Sequence, residues 1–177
     1  MEISVRVIGL EDVAAVTALI GASVRGLQVE YSEAQREAAL RTVFTVDTRL
    51  VGDGGYFGAF AGERLVGCGG WSGRKTLYGG DAQVERIEAD RLDPRVDAAK
   101  IRAIFVDPEF ARQGIGGRLL EAAEEGARAA GFRRFEMGST LSGLGLYRLR
   151  GYVEVERIRV PVGGGEEIDV VKMVKEA

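Results

Sequence analysis

Apolar and polar positions alternate at Ile3, Val5 and Val7, the period of a strand with one buried face. Behind Glu11-Asp12, the residues Val13, Val16, Leu19 and Ile20 recur at helical spacing, so an amphipathic helix follows that strand. Ser32 with Gln35 three residues later is a capping-box pattern, which predicts a second helix to about Val43 before Gly52–Gly55 break the chain. Tyr56–Ala61 and Leu65–Trp71 are short apolar runs around Gly62-Glu63-Arg64, the pattern of an antiparallel hairpin. Lys100–Val106 predicts a strand stopped by Asp107-Pro108. Ile115–Ala130 predicts a helix with Ile115, Leu119, Ala122, Ala123, Ala127 and Ala130 toward the sheet, closed by Gly131. Phe132–Met137 predicts a strand and Leu144–Arg150 a short helix ended by Gly151. Tyr152–Val160 with Ile168–Val174 predicts a last hairpin around Gly163-Gly164-Gly165. The order β α α β β β α β α β β describes an α/β protein of one domain, residues 1–177. Its central sheet is mixed, mostly antiparallel and of about seven strands, with helices on both faces.

Between Ser72 and Ala99 the periodicity disappears and the text turns charged, with Gly79-Gly80 and Asp93-Pro94. Unpatterned connections beyond ~15 residues in a compact domain are mostly lids, binding loops or disordered stretches. A solvated excursion with a short helix near Ala82–Ala89 is the competing reading. Composition sharpens the picture by exclusion. The 177 residues include one cysteine, Cys68, and no histidine, so an internal disulfide, a Cys-rich zinc site, a His-ligated metal and any His-dependent triad are all excluded. No metal is expected. The net charge of -3 argues against a protein whose main work is gripping nucleic acid. No stretch is apolar and long enough for a membrane span, and the N-terminus carries Glu2 and Arg6 in place of an apolar leader, so a soluble cytoplasmic protein is expected. The 26 glycines imply tight turns or close backbone approaches.

Those glycines concentrate where they carry chemistry. After the strand Ile101–Val106 the chain reads Asp107-Pro108-Glu109-Phe110-Ala111-Arg112-Gln113-Gly114-Ile115-Gly116-Gly117-Arg118, with glycines at the mouth of a helix. A helix start offers up to four unpaired N–H groups and about half a positive charge, and residues without Cβ let a diphosphate approach that backbone. Arg112 and Arg118 add positive charge nearby. A dinucleotide fingerprint begun at Gly114 would need glycine where Leu119 stands, and no G-x-x-x-x-G-K-[ST] occurs. A tight helix–strand packing remains the bland alternative.

Ala111-Arg112-Gln113-Gly114-Ile115-Gly116 resembles the [QR]-x-x-G-x-[GA] motif of the GNAT superfamily of acyl-CoA-dependent N-acyltransferases, with Ala111 where the family usually has Gln or Arg. Ile104-Phe105-Val106-Asp107-Pro108 is similar to its cofactor strand and turn. Leu146-Tyr147 with Gly151-Tyr152 is similar to its late F-Y-x-x-x-G-F element. The resemblance spans about residues 3–174 and implies a GNAT-like fold. It further implies a splayed parallel strand pair with pantetheine pairing to the backbone of Ile104, Phe105 and Val106, and acetyl-CoA as cosubstrate. The diphosphate would lie against Ala111, Arg112, Gln113, Gly114, Ile115, Gly116 and Gly117. Tyr147 would protonate the departing thiolate. Ser139, Thr140 and Ser142 fill the loop where relatives carry a polar group near the cofactor, with turn chemistry the equal competitor.

The cofactor strand carries no acid, so no general base is assigned. Glu30, Glu85 and Glu88 are candidates, and each is more often a solvated charge. Trp71 could line an acceptor cavity; Cys68 fits core packing better. The expected partners are acetyl-CoA and an amine-bearing substrate, with no nucleic acid or membrane and a homodimer allowed. The expected activity is acetyl transfer to a primary amine of a small molecule or peptide by direct attack in a ternary complex. Two alternatives stay open: a non-catalytic acyl-CoA-binding regulatory module on the same fold, and an α/β domain that binds another phosphate ligand.

Overall fold

The computed structural model describes residues 2–83 and 90–177. Its strands are β1 (Ile3–Val7), β2 (Tyr56–Ala61), β3 (Arg64–Ser72), β4 (Ala99–Val106), β5 (Arg134–Ser139), β6 (Val153–Gly163) and β7 (Glu166–Glu176). Its helices are α1 (Val13–Leu27), α2 (Glu33–Leu40), α3 (Thr48–Gly52), α4 (Ile115–Ala129) and α5 (Leu144–Leu149). The strands form one seven-stranded sheet in the order β1-β2-β3-β4-β5-β7-β6. Every pairing is antiparallel except β4 with β5, as the hairpin-rich sequence order implied. Val16, Leu19, Ile20 and Val24 of α1 pack with Tyr56, Phe60 and Phe105 on one face. Leu120, Ala123 and Ala127 of α4 pack with Ile101, Phe135 and Met173 on the other. Among the described residues no helix is long and apolar enough to cross a membrane.

Local chemistry explains most boundaries. Ser32 accepts from Gln35 N–H while the Gln35 side chain returns to Ser32 N–H, the predicted capping box of α2. That helix ends at Leu40 instead of Val43, because the amides of Thr42 and Phe44 both bond back to Ala39 O in a turn. The sequence reading also missed α3. Five residues are too short to show a period, and its start is fixed by the Asp47 carboxylate accepting from the amides of Arg49 and Leu50. In α4 the buried stripe is Ile115, Leu119, Leu120, Ala123, Glu124 and Ala127. Ala122 is only half-buried and Ala130 is exposed, because the helix stops at Ala129 and turns its wider stripe through Leu120 and Glu124. Glu124 is tolerated inside since its carboxylate accepts from the Tyr152 hydroxyl at 2.7 Å and from Lys175 at 3.1 Å. The helix closes in a Schellman motif, with Gly131 N–H on Arg128 O and Phe132 N–H on Ala127 O. Phe132 is thereby held to the helix end, so β5 begins at Arg134, two residues later than predicted.

The segment between β3 and β4 is anchored. Lys75 N–H bonds Asp90 O, Leu92 N–H bonds Gly73 O, and Arg74 bridges Arg91, so its two ends run together. Asp81 accepts from the amide and hydroxyl of Thr48 at the start of α3. The short helix predicted near Ala82–Ala89, with Glu85 and Glu88, lies from 84 onward outside the described residues.

Candidate active site

Two features of β4 open the sheet. It pairs with β5 only at Ala99↔Phe135 and Lys100↔Glu136, after which the two strands diverge. The Lys100–Glu136 ion pair closes the last paired rung. Beyond it β4 bulges: Ala103 adopts φ 52°, so that Ala103 and Ile104 together oppose Gly69 of β3. A left-handed conformation is costly for a residue with Cβ, and here it is held by the Tyr56 hydroxyl donating to Ala103 O at 2.9 Å. The bulge also reverses the side-chain alternation. Ile101 consequently faces α4 while Phe105 faces α1.

Between the diverging strands lies a cavity lined by Ile104, Phe105, Thr140 and Tyr147 of the predicted site residues. The Tyr147 position follows from the end of α5. Gly151, with φ 93°, forms a second Schellman motif in which Tyr152 N–H bonds Tyr147 O and Gly151 N–H bonds Arg148 O. The two aromatic rings meet edge to face at 5.9 Å, the apolar contact that such a motif favours. The spacing Tyr147-x-x-x-Gly151-Tyr152 is thus a helix stop that fixes one tyrosine at the cavity.

Other tyrosines spend their hydroxyls inside the fold. Tyr31 donates to Asp169 O, Tyr56 to Ala103 O and Tyr152 to Glu124. The Tyr147 hydroxyl has no hydrogen-bond partner among the described residues, although the side chain is 8% exposed and lines the cavity. Burial raises its pKa well above the phenol range, so it stays protonated.

At the far end of β4, Asp107 caps a short turn over Pro108–Phe110, and the chain passes through Arg112 (φ 62°) and Gly114 (φ 81°) into α4. Among the described residues no side chain caps Gly114. A Cβ there would meet nothing within 4 Å, so the approach to the first amides of α4 is open. Ile115 is buried, Gly116 faces Leu146 of α5, and the space beside Gly117 holds the Arg150 guanidinium. Arg112 and Gln113 are exposed, whereas Arg118 is tied to Ile3 O at 2.7 Å and is not a mobile cation for this turn. Arg150, unnoticed in the sequence, supplies positive charge there, paired with Glu121 at 2.7 Å. Val106 N–H, expected to be free, donates to Ser23 Oγ of α1 at 3.2 Å.

Several sequence candidates are not brought to Tyr147. Glu30 is exposed and lines a separate surface cavity with Tyr31 and Asp169. Trp71 packs on Phe132 and lines a different cavity, with Asp53, Arg91 and Pro94. Cys68 is fully buried with its Sγ 3.0 Å from the Tyr56 hydroxyl, and has its pKa pushed to about 12 by burial, as packing requires. Ser139 is buried and donates to Thr140 O; the Thr140 and Ser142 hydroxyls bond each other. Sequence reasoning missed Asp47 and Arg102. Arg102 lines the cavity and pairs with Asp47 at 3.0 Å, and the signal was a lone arginine inside the apolar run Ile101–Val106.

Comparison with known proteins decides the family. The model of the acetyltransferase (GNAT) family matches residues 22–152. The chain belongs to the GNAT acetyltransferase family. It is an acyl-CoA-dependent acetyltransferase, and the glycine turn, the open helix start and the splayed strands fit the cosubstrate of that family. No curated protein matches the sequence. Among solved structures, the GCN5-related N-acetyltransferase from Rhodopseudomonas palustris superposes with TM-score 0.73 at 21% identity over 100% of this chain and 97% of that one. The PaiA N-acetyltransferase from Thermoplasma acidophilum, in complex with coenzyme A, gives 0.69 at 17% over 100% of both chains. The ribosomal-protein-alanine N-acetyltransferase from Brucella melitensis gives 0.63 at 18% over 98% of this chain and 99% of that one. At these identities the likeness is one of fold.

Proposed function

We propose that this GNAT acetyltransferase moves an acetyl group from acetyl-CoA to a primary amine of a small molecule or peptide, by direct attack in a ternary complex, with residues 1–177 working as one domain. The observation that carries the reading is the Tyr147 hydroxyl, unpartnered among the described residues, in the cavity at the β4–β5 splay. The amides from Arg112 to Gly117 hold the diphosphate, with Ala111 contributing main chain only, and the backbone of Ile104, Phe105 and Val106 flanks the pantetheine arm. Since Val106 N–H starts on Ser23, that contact is exchanged or shared when the arm binds. Thr140 sits on the opposite wall.

Acetyl-CoA supplies a thioester, and attack by an amine expels a thiolate. Tyr147 meets the charge that develops on sulfur. A thiol of pKa ~8.5 is already a stronger acid than an ordinary phenol at ~10, and burial widens the gap, so the hydroxyl donates a hydrogen bond in the transition state without becoming a phenolate. The charge on the amine is removed before attack. At pH 7 an α-amine of pKa ~8 is neutral in about a tenth of molecules and a lysine-like amine of pKa ~10.4 in about 1 in 2,500, so an α-amine needs far less help.

Calorimetry with acetyl-CoA and thiol release across an amine panel test the reading. Binding with turnover of at least one amine is the expected result. Binding without turnover of any amine favours the regulatory module, and no binding defeats both. The segment between β3 and β4 reaches the cavity through Leu77, Tyr78 and Gly79, and its described ties run to α3, to Thr45 and Val46 just ahead of it, and to Arg102, none to the glycine turn. Replacing Thr76–Arg91 by a short Gly-Ser linker is therefore expected to leave a folded protein that binds acetyl-CoA and has lost turnover of its amine. Loss of acetyl-CoA binding in that protein would contradict the assignment of this segment to the acceptor.

A further inference from the structure

Arg102 is 3% exposed, and among the described residues it is the one charged side chain lining the cavity that holds Tyr147. Its guanidinium carries five N–H donors. Only Nη2 is engaged, by Asp47 Oδ2 at 3.0 Å and Gly79 O at 2.6 Å. Nε and Nη1 have no hydrogen-bond partner among the described residues, yet neither is among the sealed, orphaned polar atoms of the interior. Arg102 lines the cavity, so these donors are the ones left for a group bound there. A buried arginine kept only to clamp α3 and Gly79 to β4 would be expected to satisfy those donors within the fold, because orphaned donors are costly. An ammonium-bearing tail has no described acid on this wall to receive it, since Asp47 is behind Arg102 and already engaged. The rest of the lining combines apolar side chains, among them Phe44, Leu77, Met137, Val160 and Ile168, with the hydroxyl-bearing Thr45, Tyr78, Thr140 and Tyr147.

We propose that Arg102 is a specificity residue that binds the carboxylate of the acceptor, and that the acceptor is an amine carrying a carboxylate on an apolar frame, of the kind an apolar α-amino acid provides. The inference rests on the acetyltransferase reading above. Asp47 keeps the guanidinium oriented, and a planar donor fork matches a carboxylate in geometry as well as charge.

The test uses matched acceptors with the wild-type protein: leucine, leucinamide and isopentylamine, then phenylalanine, phenylalaninamide and phenethylamine. Thiol release is read as kcat/KM. The expected result is a preference of at least tenfold for the carboxylate member of a set over both partners. Equal or better use of the amides or decarboxylated amines overturns the proposal, as does absence of turnover with both amino acids in protein that binds acetyl-CoA. Failure to bind acetyl-CoA at all defeats the acetyltransferase reading instead. A second arm replaces the pair together, Asp47→Leu with Arg102→Met, because removing one partner strands a buried charge. In that variant, once folding and acetyl-CoA binding are verified, the preference is expected to fall to within about threefold of unity; an undiminished preference assigns carboxylate recognition to another group. If the variant does not fold, the wild-type comparison decides.

Discussion

Tyr147→Phe is expected to lower kcat by about 10²-fold with acetyl-CoA affinity little changed. Phenylalanine keeps the ring against Tyr152 and the helix stop at Gly151, and it removes only a hydroxyl that bonds nothing among the described residues. No buried partner is stranded, so the fold has no reason to weaken. The loss falls on kcat because the hydroxyl acts where charge appears on sulfur, which is a property of the transition state and not of bound cosubstrate. Complete inactivity is not expected, since a thiolate leaves tolerably without assistance. The pH profile adds a second check. With burial raising the Tyr147 pKa, its donor form persists through the neutral and mildly alkaline range, and the wild-type kcat should show no break near the ordinary phenol value of ~10 from this group. A Phe variant turning over at the wild-type rate, with chemistry shown to be rate-limiting, would make Tyr147 a packing residue.

Gly114→Val is expected to weaken acetyl-CoA binding at least tenfold, about 1.4 kcal/mol. Two effects combine. At φ 81° a β-branched residue is strained by roughly 1–2 kcal/mol, so the turn relaxes away from the conformation that aims the α4 amides outward. If it does not relax, the valine methyl groups occupy the open space above the helix start, where the diphosphate would approach. Neither effect touches Tyr147. Unchanged affinity in a folded Gly114→Val protein would remove the glycine turn from the account.

How much of this was legible in the sequence depends on the range of the interaction that fixes each feature. Period and punctuation located the capping box of α2, the hairpin of β2 and β3, and both glycine helix stops, because each is written within a few neighbouring residues. The Tyr147-x-x-x-Gly151-Tyr152 spacing was readable for the same reason. Helix α3 is shorter than one hydrophobic repeat, and its cap at Asp47 carried no periodic signal. Glu124 stood outside the apolar stripe read for α4, since the groups that satisfy it, Tyr152 and Lys175, arrive from the end of α5 and from β7. The bulge at Ala103 was hidden too: an alanine in a strand gives no hint of φ 52°, which depends on Tyr56 reaching across from β2. That bulge is why the side chains of β4 do not alternate as a regular strand would. Arg102 was visible as an oddity, but its meaning required Asp47 and Gly79, far apart along the chain.

The central claim is that acetyl-CoA lies across the β4–β5 splay with its diphosphate on the start of α4. A titration of the amide NMR spectrum with coenzyme A tests it most directly, since it needs no knowledge of the acceptor. The account predicts the largest shifts at the amides of residues 112–117 and at Ile104, Phe105 and Val106, with Tyr147→Phe giving the same pattern and Gly114→Val losing the first group. Perturbations centred elsewhere, or none in a folded protein at millimolar coenzyme A, would contradict it.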